Sequence, residues 1–228
     1  MFVEKPLALS SDELERVLSV VDETGNDRLM VGFNRRFAPL FGAMKARFGV
    51  ATGPGSARYV VNAGRLDRSS WYLNEGAEGS RFVGEGGHFI DTLSWWFDAR
   101  PVEVYAVDGG NAGDVHATLT FDDGSVGSIA YVTTGNPRVP KETFDASAGG
   151  YSARLDNFRA ATVWVGRRRR RDRSRMQVDK GQRSELDAFV RAVRRGGPMP
   201  ISLASLDATT RATLAVAGSL YKGEPLGC

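Results

Sequence analysis

The stretch Gly84-Glu-Gly-Gly-His-Phe-Ile-Asp91 holds the residues best suited to acid/base chemistry. On a helix, Gly84, His88, Asp91 and Trp95 share one face, and Glu85 lies three residues from His88. A histidine with a carboxylate three residues away on each side forms an acid/base unit, because imidazole titrates at about pH 6.5 and such neighbours tune it. Three glycines where the helix begins let a ligand approach the backbone, and a helix N-terminus favours anionic or electron-rich groups. The plainer alternative is a core histidine among glycines that serve tight packing. Spacing alone does not separate the two.

Lys5 stands in Val3-Glu4-Lys5-Pro6, which reads as the exit of a buried strand into a rigid turn. Open α/β sheets place ligands at strand ends, and an ammonium held there can donate to a reacting hydroxyl. Asn34-Arg35-Arg36-Phe37 follows a second apolar run, Leu29 to Phe33. Two arginines at a strand exit can clamp a carboxylate, a phosphate or sugar hydroxyls. Trp71-Tyr72 lies in a polar stretch, where aromatic faces stack on sugar rings. The alternatives are a surface lysine, a solvated pair capping a helix, and loop packing.

Arg167 to Arg171 is a run of five arginines, extended by Arg173 and Arg175. Alone it suggests a phosphate-backbone partner. It follows the strand-like Thr162 to Val165 and lacks the interleaved aromatics on which bases stack, so a solvated hairpin tip is expected. His88 and His116 are the two histidines and Cys228 is the single cysteine, so no zinc constellation and no reactive-thiol motif is visible. There is no Gly-x-Ser-x-Gly elbow, no Walker loop and no Gly-x-Gly-x-x-Gly between a strand and a helix.

The elements that position these groups follow from periodicity. Ser10-Ser-Asp-Glu13 has capping-box spacing, Leu14, Val17, Leu18 and Val21 continue it as a helix, and Gly25 stops it. Pro39 to Phe48 predicts a second helix, Gly84 to Phe97 a third, Ser184 to Val193 a fourth and Leu203 to Tyr221 a fifth. Ser56 to Ala63, Val102 to Asp108, Val115 to Phe121 and Val126 to Thr133 predict strands, with Asp122-Asp123-Gly124 as a hairpin turn. Shorter strands are expected over Glu142 to Ser147, Tyr151 to Leu155 and Thr162 to Val165. A βα stub thus leads into hairpin-connected strands with helices on one face, an α+β chain.

The 228 residues suffice for a sizeable core, and 42% hydrophobic with 25% charged residues is ordinary for a globular protein. A net charge of +3 is too small to imply nucleic acid. One cysteine fits a reducing compartment, no apolar run reaches membrane-helix length, and Glu4, Lys5 and Pro6 break any leader-like core. A cytoplasmic protein without membrane or nucleic-acid partners is expected.

Taken together, these motifs resemble the Gfo/Idh/MocA family of oxidoreductases. Phe2-Val-Glu-Lys-Pro-Leu-Ala8 resembles the family signature that closes the nucleotide domain. Val31-Gly-Phe-Asn-Arg-Arg-Phe-Ala-Pro39 resembles the crossing into the substrate domain, and Gly84 to Asp91 the catalytic helix. Pro140-Lys-Glu142, Leu155-Asp-Asn-Phe158 and Asp179-Lys-Gly181 resemble landmarks of a subgroup often fused to zinc-type alcohol dehydrogenases.

The resemblance implies a predominantly antiparallel, open-faced sheet with helices on one face, preceded by a βαβ remnant of a Rossmann domain. Residues 1–37 would be that remnant and 38–228 the substrate-binding and dimerisation domain. It implies hydride transfer between NAD or NADP and a sugar, cyclitol or related polyol. Lys5 and His88 match catalytic positions, Arg35, Trp71, Tyr72 and Lys141 fall where relatives line the sugar pocket, and Lys5, Pro6 and Arg35 face the cofactor. The family aspartate four residues before the histidine is Gly84 here, so Glu85 is the remaining carboxylate for that role. The glycine-rich loop that would precede Met1 is also missing, which predicts an exposed strand edge covered by a second copy, a separate Rossmann-type partner or an omitted segment. A homodimer through the sheet face is implied. The alternatives are a cofactor-free sugar-binding or scaffold protein, and non-redox acid/base chemistry by His88, Glu85 and Lys5.

Overall fold

A computed structural model describes residues 1–49, 51–64, 80–110, 113–174 and 177–228. The chain opens with β1 (Phe2–Val3), α1 (Ser11–Thr24) and β2 (Met30–Val31), and β1 and β2 pair in parallel. A 3-10 helix over Asn34–Phe37 leads into α2 (Pro39–Phe48). Strand β3 (Ser56–Asn62) is followed, among the described residues, by α3 (Arg81–Phe97), β4 (Pro101–Asp108), β5 (Val115–Phe121) and β6 (Val126–Val132). Then come β7 (Glu142–Ala148), β8 (Tyr151–Asp156), β9 (Ala160–Val165) and β10 (Arg168–Arg173). Helices α4 (Gln182–Arg195) and α5 (Leu203–Lys222) and the short β11 (Leu226–Gly227) end the chain.

The main sheet runs β10-β9-β8-β7-β3-β6-β5-β4-β11. Every neighbouring pair in it is antiparallel except β3 with β6. Side chains alternate along each strand, so Tyr59, Leu119, Ile129, Tyr131 and Phe144 point to one face and are fully or almost fully buried. Helices α2, α3 and α5 cover that face, and on the opposite face the large apolar side chains Tyr105, Val107, Val126 and Trp164 are exposed. A second, smaller core joins Leu29, Met30, Val31 and Phe33 to Ile201 and Leu206. The α+β, open-faced architecture expected from the sequence is the one observed.

The capping signals work as expected with one shift. Ser10 Oγ accepts from the Glu13 backbone N–H at 3.2 Å, while the Glu13 carboxylate takes the N–H of Leu9 rather than that of Ser10. The arginine run differs from its sequence reading: it is strand β10, not a tip, with only Gly166-Arg167 turning. Its alternate residues diverge, because Asp172 pairs with Arg47 of α2 while Arg169 and Arg171 stand opposite Trp164 and Thr162 of β9. An edge strand tolerates such charge, since its outer side meets water and arginine stems cover apolar neighbours. Arg175 lies outside the described residues. No helix among those described is long and apolar enough to cross a membrane.

Gly127 sets how closely α3 lies on β6. A Cβ there would come within 2.9 Å of Leu93 Cδ1. Gly127→Ala is expected to destabilise the fold by about 1–3 kcal/mol through overpacking, read as a lower urea midpoint at unchanged slope. An unchanged midpoint would show that the helix does not sit this near.

Candidate active site

His88 sits two turns into α3, whose N-cap Ser80 accepts from the Val83 N–H and starts the helix. It is 7% exposed, its ring packs edge-on to Phe33 at 6.0 Å between centroids, and its Nδ1 has no partner among the described residues. Burial pushes its pKa well below 6.5, and Arg35, Lys5 and Lys180 push the same way. The imidazole is therefore neutral at physiological pH and ringed by three cations from three different elements.

The carboxylates flanking His88 in sequence serve other groups. The Tyr131 hydroxyl of β6 donates to Glu85 Oε2 at 2.6 Å. Arg36 bonds Asp91 through Nε at 2.9 Å and through Nη2, and Asp91 is wholly buried. The expected unit of a histidine between two carboxylates is thus not built. Glu85 and Asp91 are six residues apart and flank His88 on opposite sides of the helix, where the Tyr131 phenol and the Arg36 guanidinium each claim one acid. Glu85 supplies no direct bond to His88 among the described contacts.

What holds the cations is Glu142, at the start of β7 and 0% exposed. Arg35 donates to it from Nε at 3.4 Å and Nη2 at 3.2 Å, the Tyr59 hydroxyl at 2.6 Å, and the Lys180 ammonium adds a further bond. Burial works against this charge. Arg35 and Lys180, with the bonds from Lys180 and Tyr59, outweigh it and hold the carboxyl at about 2. Asn34 fixes both cations again: its Oδ1 accepts from Arg35 Nη1 and its Nδ2 donates to the Lys180 carbonyl, each at 2.8 Å.

Lys180 is delivered by a turn that requires glycine. Gly181 has φ +93, and a Cβ there would lie 2.4 Å from the Asn34 carbonyl oxygen and 2.5 Å from the Ala38 nitrogen. Lys5 comes from the turn after β1, and it lines a narrow cavity with Pro6, Phe33, Gly84, Gly87 and Thr213.

The structure thus brings Lys5, Pro6, Arg35, Glu85 and His88 to one region. The Lys141 side chain is exposed, and its neighbour Glu142 is the one turned inward. In a strand half the residues face solvent, and Glu142 begins the buried set. Trp71 and Tyr72 lie outside the described residues. Lys180, Glu142, Tyr59 and Asn34 were missed as functional candidates. Asp179-Lys-Gly181 was a usable signal for the first of these.

A further buried acid lies beside the site. Glu185 of α4 is 3% exposed, with Oε1 unpartnered among the described residues. Burial, then the charges of Glu4 and Asp91, raise its pKa to about 8, against a partial opposing effect of Arg35.

The chain superposes on an oxidoreductase domain protein from Kribbella flavida with a TM-score of 0.82 at 18% identity, covering 99% of this chain and 73% of that one. It also superposes on an aldose-aldose oxidoreductase from Caulobacter crescentus complexed with glycerol, with a TM-score of 0.80 at 18% identity, covering 100% and 71%. The fold is the one these two structures share. The model of the Gfo/Idh/MocA oxidoreductase family, C-terminal alpha/beta domain, matches residues 56–208, and the chain belongs to that family. It is 32% identical over 151 residues to scyllo-inositol 2-dehydrogenase (NAD(+)) of Bacillus subtilis, covering 57% of this chain and 40% of that protein. It is 28% identical over 180 residues to the uncharacterized oxidoreductase YrbE of the same organism, covering 72% and 50%. The chain thus spans half or less of the length of these curated relatives.

With two histidines in the chain, imidazole NMR resolves both. The His88 resonance is expected to stay neutral well below pH 6.5, and Lys180→Met to raise its pKa by removing one cation. A wild-type midpoint at 6.5 or above would refute the cationic ring. For Glu185 the folded pKa exceeds the unfolded value of 4.5, so stability falls as pH rises from 4.5 to 8 and levels off above. Glu185→Gln is expected to match the wild-type Tm near pH 4 and to exceed it increasingly up to about pH 8, measured by calorimetry across pH.

Proposed function

We propose that this chain is the substrate-binding portion of an NAD(P)-dependent oxidoreductase acting on a sugar, cyclitol or related polyol. The observation that carries the reading is a buried neutral histidine surrounded by Lys5, Arg35 and Lys180. The relative named as an NAD(+)-dependent scyllo-inositol 2-dehydrogenase supports the substrate class and cofactor. In this reading residues 1–37 end a dinucleotide-binding domain, packed through Met30 and Val31 on Ile201 and Leu206, and 38–228 form the substrate domain. The open sheet face, with Tyr105, Val107 and Val126 exposed, is the surface for a second copy.

The residues present fit one side of a nicotinamide coenzyme. Lys5, Pro6 and Phe33 share a cavity with the glycine face of α3, where a Cβ at position 87 would lie 3.0 Å from the Phe33 ring. When bound, the coenzyme supplies the acceptor for the hydride leaving the carbinol carbon. His88, held neutral, takes the hydroxyl proton. Lys5 donates to the same oxygen and, with Arg35 and Lys180, stabilises the negative charge that grows on it. Glu142 keeps Arg35 and Lys180 in place and touches no reacting atom.

The test is a titration of the purified chain with NADH and NADPH, followed by coenzyme fluorescence. Saturable enhancement that Lys5→Ala weakens by about tenfold or more is the expected result. No binding at about millimolar coenzyme would refute coenzyme capture by these residues and favour a cofactor-free sugar binder or a non-redox acid/base enzyme.

A further inference from the structure

A second cavity, of about 540 Å³, lies between the C-terminal end of α3 and the N-terminal end of α5. It is separate from the His88 region: Trp95, on its wall, is seven residues or about 10 Å further along α3. The volume is that of a small-molecule site.

Its lining combines groups of opposite kinds. Arg36 and Arg100 provide guanidinium donors, and Asp98 and Asp122 provide carboxylate acceptors. Each is already balanced. Arg36 pairs with Asp91, Asp98 with Lys45 at 2.7 Å, and Asp122 Oδ1 accepts from the Arg100 N–H at 3.0 Å with Arg100 Nε 3.8 Å from Oδ2. Ser94 is 8% exposed and its hydroxyl has no partner among the described residues. Ser202 caps α5 and Ser205 sits 3.5 Å from Arg36 Nη2. The half-buried Trp95 adds an aromatic surface.

We propose that this cavity binds a neutral saccharide or polyol, at a site distinct from the one around His88. Paired donors and acceptors with no surplus charge give an ion no advantage, whereas hydroxyls both donate and accept. The positive end of α5 and the negative end of α3 face the same space, which again suits a neutral, bipolar ligand. An indole surface packs the apolar face of a pyranose ring.

The experiment is a titration of the ¹⁵N-labelled full chain with D-glucose, with inorganic phosphate at matched ionic strength as the contrast. Saturating shifts at the Trp95 indole and the amides of Ser94, Ala99 and Ser202 are expected with glucose and not with phosphate. Arg100→Gln and Asp122→Asn, both at exposed positions, should each raise the dissociation constant about tenfold, while His88→Asn leaves it unchanged. Shifts confined to the surroundings of Lys5 and His88, an affinity insensitive to both substitutions, or a response to phosphate alone would each overturn the proposal.

Discussion

The fully buried carboxylate of Glu142 is the constraint on which the site rests. Removing a carboxylate from water is tolerable only when strong donors replace the lost hydration. Here the guanidinium of Arg35, the ammonium of Lys180 and the phenol of Tyr59 do so together. They come from the 3-10 helix, the turn before α4, and β3, so satisfying one charge pins three elements to the first residue of β7. Two cations are thereby held near each other and near His88, where repulsion would otherwise drive them apart.

The same cations explain the state of the histidine. Burial and three positive neighbours make imidazolium costly, so the ring stays neutral and able to accept a proton. A carboxylate bonded to Nδ1 would have done the opposite, and at the preceding turn there is Gly84 in place of a side chain. A weaker base surrounded by cations and a stronger base paired with an acid are two routes to deprotonating a hydroxyl. In the first, the charge growing on the oxygen is stabilised directly.

One-sidedness of the sheet places this chemistry. Alternation sends Tyr59, Tyr131, Phe144 and Glu142 to the helix-covered face, so polar groups there lose water and must find one another. Asp91 with Arg36 and Glu85 with Tyr131 are two such solutions, and each draws away a carboxylate that spacing had assigned to His88. Reading Glu85 as a partner failed because helical spacing gives angular position but not which buried donor arrives from the sheet. At the strand, one residue of register decides that Glu142 and not Lys141 enters the core. The arginine run failed as a tip because edge-strand character depends on having β9 to pair with.

The sequence by itself determined the strand and helix segments, the glycine stops, the open-faced α+β architecture, and the nomination of Lys5, Arg35 and His88. Local periodicity and backbone propensity act over a few residues, and a chain records them directly. Only the tertiary structure decided that Glu142 and Lys180 belong with Arg35, that Glu85 and Asp91 do not belong to His88, and that Gly181 seats the Lys180 turn on the 3-10 helix. Those outcomes depend on contacts between residues tens to more than a hundred positions apart. There desolvation makes each buried charge take the donor that the fold brings nearest, whatever its distance in sequence.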